Sequence, residues 1–250
     1  QNSQVLSYAM GGWSPPWGIE YYVDYFNSYI LLIITGLSAL IVTYSRNSLI
    51  KEIPKEKHYL FWTSYLLCVA GLLGVTITGD AFNTFVFLEI SSLSTYILIA
   101  MGSDKRALLA SYRYLIMGTI GATFIVLGVG LLYALTGTLN LLDIAERIGD
   151  VTDSRTKLAA LAFLLVGISL KLALFPLHAW LPNAYTYSPS VASTFLAATS
   201  TKVGIYLLIR FSFDIFGATK SFENLGISQL LMFLSIIAII YGSVAAIFEN

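Results

Sequence analysis

The sequence has 250 residues, 57% of them hydrophobic and only 11% charged, with no formal net charge and a mean hydropathy of +0.77. Soluble domains carry about 25% charged residues, so this composition belongs in a lipid bilayer, and the neutral balance gives no footing for nucleic acid. Two histidines and one cysteine cannot furnish a zinc, iron–sulfur or haem ligand set. No metal and no cofactor is expected, and Cys68, in an apolar run, reads as a small core residue.

Residues 1–26 hold Gly, Pro and Trp at high density, in GGWSPPWGIE (11–20), with no Lys or Arg. They read as an extracytoplasmic interfacial loop with Trp13 and Trp17 at headgroup level. A first apolar span is expected over 27–45, followed by a basic loop from Arg46 to His58. The second span, 59–79, meets the third, 82–101, across Gly79-Asp80, with Asp80 placed to cap the third. The fourth, 112–136, carries Gly118, Gly121, Gly128 and Gly130, which would allow close helix contact. A polar, acidic stretch, 137–156, includes Asp143, Glu146, Asp150 and Asp153 and should contain a short interfacial helix. The fifth span, 157–187, is interrupted at Pro176, the sixth is 190–212 and the seventh 228–248. Arg46, Lys51, Lys55, Lys57, Lys105 and Arg106 fall in one set of loops, and Arg147, Arg155, Lys157, Arg210 and Lys220 in the other. This weak bias puts residues 1–26 outside.

The fold class is therefore all-α: a polytopic membrane bundle of about seven helices, one of them broken. Its divisions are 1–26; 27–58, a leading helix and basic loop; 59–212, the second to sixth spans; and 213–250, a loop and a further helix. The chain starts at Gln1 and stops directly after an apolar run, and reads as the middle of a longer polypeptide.

Three ionisable residues sit deep inside spans: Glu89, Lys171 and Lys202. Each would cost at least about 2.5–3.5 kcal/mol facing lipid, so such residues turn to the bundle interior or to water and seek partners. Lys171 lies just before Pro176, which cannot donate a backbone hydrogen bond. A broken backbone at membrane depth needs protein or water cover. Burial disfavours a charged lysine and a nearby carboxylate restores it. A lysine with a switchable glutamate partner is thus a proton-loading site. Lys202, among Thr199, Ser200 and Thr201, is the next station, and His178 a relay toward one surface. The rival reading is a scaffold in which Glu89 and Lys171 form a static pair.

The blocks FNTFVFLEISSLSTYILIA (82–100), LVGISLKLALFPLHAWLPNAYTYSPSVAS (165–193) and TKVGIYLLIRF (201–211) resemble the proton-conducting antiporter-like subunits. These occur in respiratory complex I, membrane-bound hydrogenases and multisubunit Na+/H+ antiporters. The opening GGWSPPWGIEYYVDYFNS (11–28) looks most like the antiporter D-type subunit. The resemblance implies that 59–212 is the first five-helix repeat of an inverted-repeat fold, that the seventh span opens the second, and that two leading helices are absent. It matches Glu89 to the family's membrane glutamate, Lys171 to its broken-helix lysine, Lys202 to its bridging lysine and His178 to the histidine after the break. It implies a subunit of a multisubunit cation(Na+)/proton antiporter in a prokaryotic cell membrane, moving H+, with Na+ left open, alongside other membrane subunits. A proton-pumping subunit of a redox complex, NADH dehydrogenase-like or hydrogenase-like, is the alternative. No chemistry on a substrate is expected within the chain.

Overall fold

The computed structural model describes residues 5–151, 155–217 and 226–248; Asp153 and Lys220 lie outside them. The N-terminal segment is not a plain loop. Two strands, β1 (Leu6–Ala9) and β2 (Glu20–Val23), pair antiparallel with Leu6 opposite Val23 and Ala9 opposite Glu20. Trp13 and Trp17, between them, are exposed. Glu20 fastens the hairpin to the bundle: its carboxylate accepts from the Ser7 hydroxyl and, at 3.0 Å, from the Asn140 amide. Its carbonyl accepts from Gly79 N at 2.8 Å.

Helix α1 (Tyr25–Glu52) starts at a reciprocal cap. Asp24 accepts from Asn27 N at 2.9 Å and Asn27 returns the bond to Asp24 N at 2.6 Å, satisfying otherwise orphaned donors. The expected basic loop is largely helix, because residues 46–52 contain no Gly or Pro and their charged members favour helix; the turn comes at Ile53-Pro54. Helix α2 (His58–Ile77) and α3 (Ala81–Ala100) are antiparallel neighbours. Asp80 caps α3 by accepting from Asn83 N at 2.7 Å, as expected. Burial raises the Asp80 carboxyl above its ordinary value, against the two backbone donors that lower it.

Helix α4 (Arg106–Thr136) starts a turn and a half before the expected point, again because nothing between Arg106 and Tyr112 breaks a helix. It ends at Gly137, whose φ of 73° suits a residue without a Cβ. The short helix α5 (Leu141–Asp150), capped by Asn140, buries Ile144 and Ile148 one turn apart and leaves Glu146, Arg147 and Asp150 exposed. Helix α6 (Arg155–Leu172) lies along α4. The two backbones approach closely: a Cβ on Gly167 would sit 2.7 Å from the Gly121 carbonyl, and one on Gly128 2.6 Å from Leu164 Cγ. Gly118 and Gly121 are similarly close to neighbours, but Gly130, expected to do the same, has none.

After the break come α7 (Leu181–Tyr187), α8 (Ser190–Ala198) and α9 (Ser200–Ile209). The expected sixth span is thus also interrupted, at the fully buried Thr199, with φ −121° and ψ −55°. It closes in a wide π-helical turn, Arg210–Ile215. Helix α10 (Ile227–Phe248) is almost wholly exposed.

Among the described residues, six helical stretches are long and apolar enough to cross a membrane: 25–52, 55–77, 81–100, 106–136, 190–215 and 227–248. The interrupted α6–α7 segment stands outside that set. Hydrogen bonds gather the hairpin, residues 78–80, α5 and the π-turn at one end of the bundle. The other end brings Glu52 to Ser190 and Arg106 to Tyr187.

Candidate functional site

Helix α6 ends just before Ala173, whose φ of +55° places a Cβ-bearing residue in the left-handed region. The chain then passes through residues 173–180 before α7. Carbonyls at a helix end lose their intrahelical donors. Here the buried Leu170 carbonyl accepts from Trp180 Nε1 at 3.1 Å, while Leu174 N reaches back to Ser169 O at 2.9 Å. Trp180 is fixed in turn by stacking on Tyr114 of α4, with ring centroids 4.0 Å apart and planes 8° from parallel. The break is a packed structure with its own hydrogen bonds.

Lys171 occupies the last turn of α6 and is buried. Its ammonium donates to Ser92 Oγ at 2.5 Å and lies 3.6 Å from Glu89 Oε1. Glu89 and Ser92 are three residues apart on α3 and so share a face. Glu89 is half-buried, and its Oε1 has no hydrogen-bond donor among the described residues. Two turns beyond Glu89, the Tyr96 hydroxyl is also buried without a hydrogen-bond partner among the described residues. The site is a lysine at a helix break facing one loosely held carboxylate and two hydroxyl side chains.

Lys202 departs from its expected place. It is exposed, and its ammonium donates to the Ala197 carbonyl and, at 3.3 Å, to Thr201 Oγ1. The interruption at Thr199 explains this, because it frees carbonyls of α8 and the nearest ammonium turns back to cover one. The two lysine-bearing helices nonetheless touch: a Cβ on Gly204 would lie 2.8 Å from Leu172 Cδ2. His178 is half-buried within the break, its ring 5.3 Å from that of Phe175 and 5.8 Å from that of Tyr241 on α10. Its Nδ1 has no partner among the described residues. Cys68 is fully buried, 3.3 Å from Thr95 Oγ1.

Reading the sequence does not reveal a second charged cluster, at the hairpin end. Arg210 donates to Asp24 at 2.6 Å, to Asp214 at 2.6 Å and to the Tyr206 hydroxyl at 3.2 Å. Its guanidinium also lies 5.3 Å from the ring centroids of both Phe26 and Tyr206. Burial pushes the Asp24 carboxyl up, but the Arg210 bond and two backbone donors outweigh it and hold the group below its ordinary value. A cavity of about 280 Å³ adjoins this cluster, lined among others by Tyr22, Thr78 and Tyr206. The i,i+4 spacing of Arg210 and Asp214 is the only local signal; Asp24 is 186 positions away.

The family described as NADH:quinone oxidoreductase/Mrp antiporter, transmembrane, matches residues 78–250. The chain belongs to that family. It is 43% identical over 245 residues to NADH-quinone oxidoreductase subunit N of Desulforudis audaxviator, covering 97% of this chain and 48% of that protein. It is 32% identical over 243 residues to the D-type subunit of the Na(+)/H(+) antiporter of Bacillus subtilis, with the same two coverages. A chain of the archaeal membrane-bound sulfane sulfur reductase superposes with a TM-score of 0.84 at 31% identity, over 97% of this chain and 48% of that one. The chain thus spans about half the length of the curated relatives it matches. It is an integral protein of the prokaryotic cell membrane. The expected preference for the antiporter D-type is not supported, since the quinone oxidoreductase subunit is the more identical of these two relatives.

Proposed function

We propose that this chain carries one half of a proton route in a multisubunit membrane complex, with Lys171 as the group that takes up and releases the proton. The observation behind this is the incomplete pairing at Lys171: a buried ammonium with one hydroxyl at 2.5 Å and a carboxylate standing off at 3.6 Å. An ammonium has three donors to satisfy. Held near Glu89 it keeps its proton; with Glu89 withdrawn or neutralised, the surrounding low-dielectric medium favours the neutral amine. The proton then leaves Nζ through water toward Lys202, which is carried on the helix whose Gly204 packs against Leu172. His178, whose Nδ1 has no partner among the described residues, lies toward α7 and serves the opposite end of the path. The partners are other membrane subunits and the bilayer, and the transported ion is H+.

Two drives would use this machinery. A gradient-driven cation/proton antiporter is one. A redox-driven complex is the other, and the 43% identity to a quinone oxidoreductase subunit favours it. The test is proton flux by the full-length protein in its complex, reconstituted in vesicles. Lys171→Ala is expected to abolish proton movement while the subunits still assemble. Undiminished flux in the assembled variant refutes the proposal and leaves the scaffold reading.

A further inference from the structure

The end of the bundle opposite the hairpin holds a small polar cavity of about 130 Å³ between α4 and α7. Four polar side chains line it: Arg106 and Arg113 from α4, Asn183 and Tyr187 from α7. The two arginines are seven residues apart and the other pair four apart, so each pair shares one face of its helix. Arg106 is committed. Its Nε and Nη2 hold Asp104 at 2.9 and 2.7 Å, its Nη1 reaches the Tyr187 hydroxyl at 3.2 Å, and it lies 4.6 Å over the Tyr187 ring. Asp104 therefore offsets Arg106. Arg113 is exposed and has no hydrogen-bond or ion-pair partner among the described residues, and the Asn183 amide has none either. The cavity is left with one uncompensated positive charge and a free amide.

Depth along α4 says what meets them. Residues 114–136 contain no charged side chain and rise about 35 Å at 1.5 Å per residue, enough to cross a hydrocarbon core of about 30 Å. Arg113 therefore stands at the edge of the hydrocarbon, and Arg106 about 10 Å further out, among the headgroups. An unpaired guanidinium facing outward at that depth reaches for the interface, where the available anion is a phosphate. Arginine pairs with phosphate through two parallel N–H donors, and basic pockets between membrane helices suit anionic headgroups.

We propose that this cavity binds the phosphodiester of an anionic phospholipid of the phosphatidylglycerol type, with Arg113 as the charge partner and Asn183 as a second donor. One excess positive charge matches the single charge of a phosphodiester. The lipid would sit against α4 and α7, and α7 is the continuation of the broken helix, so its occupancy bears on the position of the break.

The experiment is native mass spectrometry of the full-length protein in its complex, purified in mild detergent and supplied with phosphatidylglycerol, phosphatidylcholine or inorganic phosphate. The wild type is expected to retain phosphatidylglycerol over phosphatidylcholine. Arg113→Gln should weaken phosphatidylglycerol retention about tenfold, since one charge-assisted hydrogen-bonding group is lost. Asn183→Ala, on the other helix, should weaken it less, and phosphatidylcholine should be unaffected by either change. Unchanged phosphatidylglycerol retention in both variants overturns the proposal. So does displacement of the bound species by inorganic phosphate, which would make the site one for the free anion. Loss of a partner subunit from Arg113→Gln with lipid retention intact would assign the site to a protein carboxylate, and overturns it as well.

Discussion

Arg210 at the hairpin end and Lys171 at the helix break are both cations inside the bundle, but they are held differently. Arg210 has two carboxylates at 2.6 Å, a tyrosine hydroxyl and two aromatic rings. Lys171 has one serine hydroxyl and a carboxylate 3.6 Å away. A guanidinium never gives up its proton in a protein, whereas a lysine does so readily when buried. A saturated cluster ties β2, α1 and the π-turn together and has nothing to gain from a change of protonation. An under-satisfied one leaves donors on the ammonium without partners, which is the condition the proposed proton carrier requires.

Exchanging the two cation types breaks this comparison most directly. Lys171→Arg keeps the charge but removes the exchangeable proton, and proton flux in vesicles should fall about a hundredfold or more, in the range expected for losing an acid–base group. Near-normal flux would mean that only the charge matters. Arg210→Lys should leave flux per folded complex unchanged but lower thermal stability by about 1–2 kcal/mol, since the two-carboxylate fork is lost; a melting curve at neutral pH reads this. Glu89→Gln should cut flux about tenfold, the equivalent of about 1.4 kcal/mol at the transfer step, with Glu89→Asp intermediate because its shorter reach preserves the charge. Normal activity in Glu89→Gln would remove the switchable pair.

The smallest effect is in pH. The Asp24 carboxyl is held below its ordinary value in the folded protein. Its contribution to stability is therefore fully present above the unfolded value of 3.8 and is lost as pH falls through the lowered folded value. Melting curves taken below about pH 5 should decline more steeply in the wild type than in Asp24→Asn. Equal slopes would show that the Arg210 cluster does not discriminate between charge states.

Apolar runs, caps and breakers are local, and what they control is legible in the sequence. Asp80 caps α3 because its side chain reaches a backbone donor three residues on, and the break follows from a proline in an apolar run. Charge is a poor marker of helix ends in this chain: the residues from Arg46 to Glu52 and from Arg106 to Tyr112 contain no Gly or Pro, and only Pro54 and the turn at 102–105 interrupt them. The interruption at Thr199 carries no proline or glycine to announce it. It places Lys202 at the surface of the chain, hydrogen-bonded to Ala197, where its position deep in an apolar span puts it inside.

By itself the sequence determined that this chain lives in a membrane, where its apolar spans lie, and that Glu89, Lys171 and Lys202 would need partners, because hydropathy and the cost of a buried charge depend on residue type alone. Only the tertiary structure decided which partners each one has. Ser92 and Glu89 reach Lys171 because α3 packs within reach of the end of α6. Arg210 meets Asp24 because the π-turn closes against the start of α1, and Arg113 has no partner among the described residues because α7 presents an amide and a phenol rather than a carboxylate. These are contacts between residues up to 186 positions apart, and no local pattern encodes them.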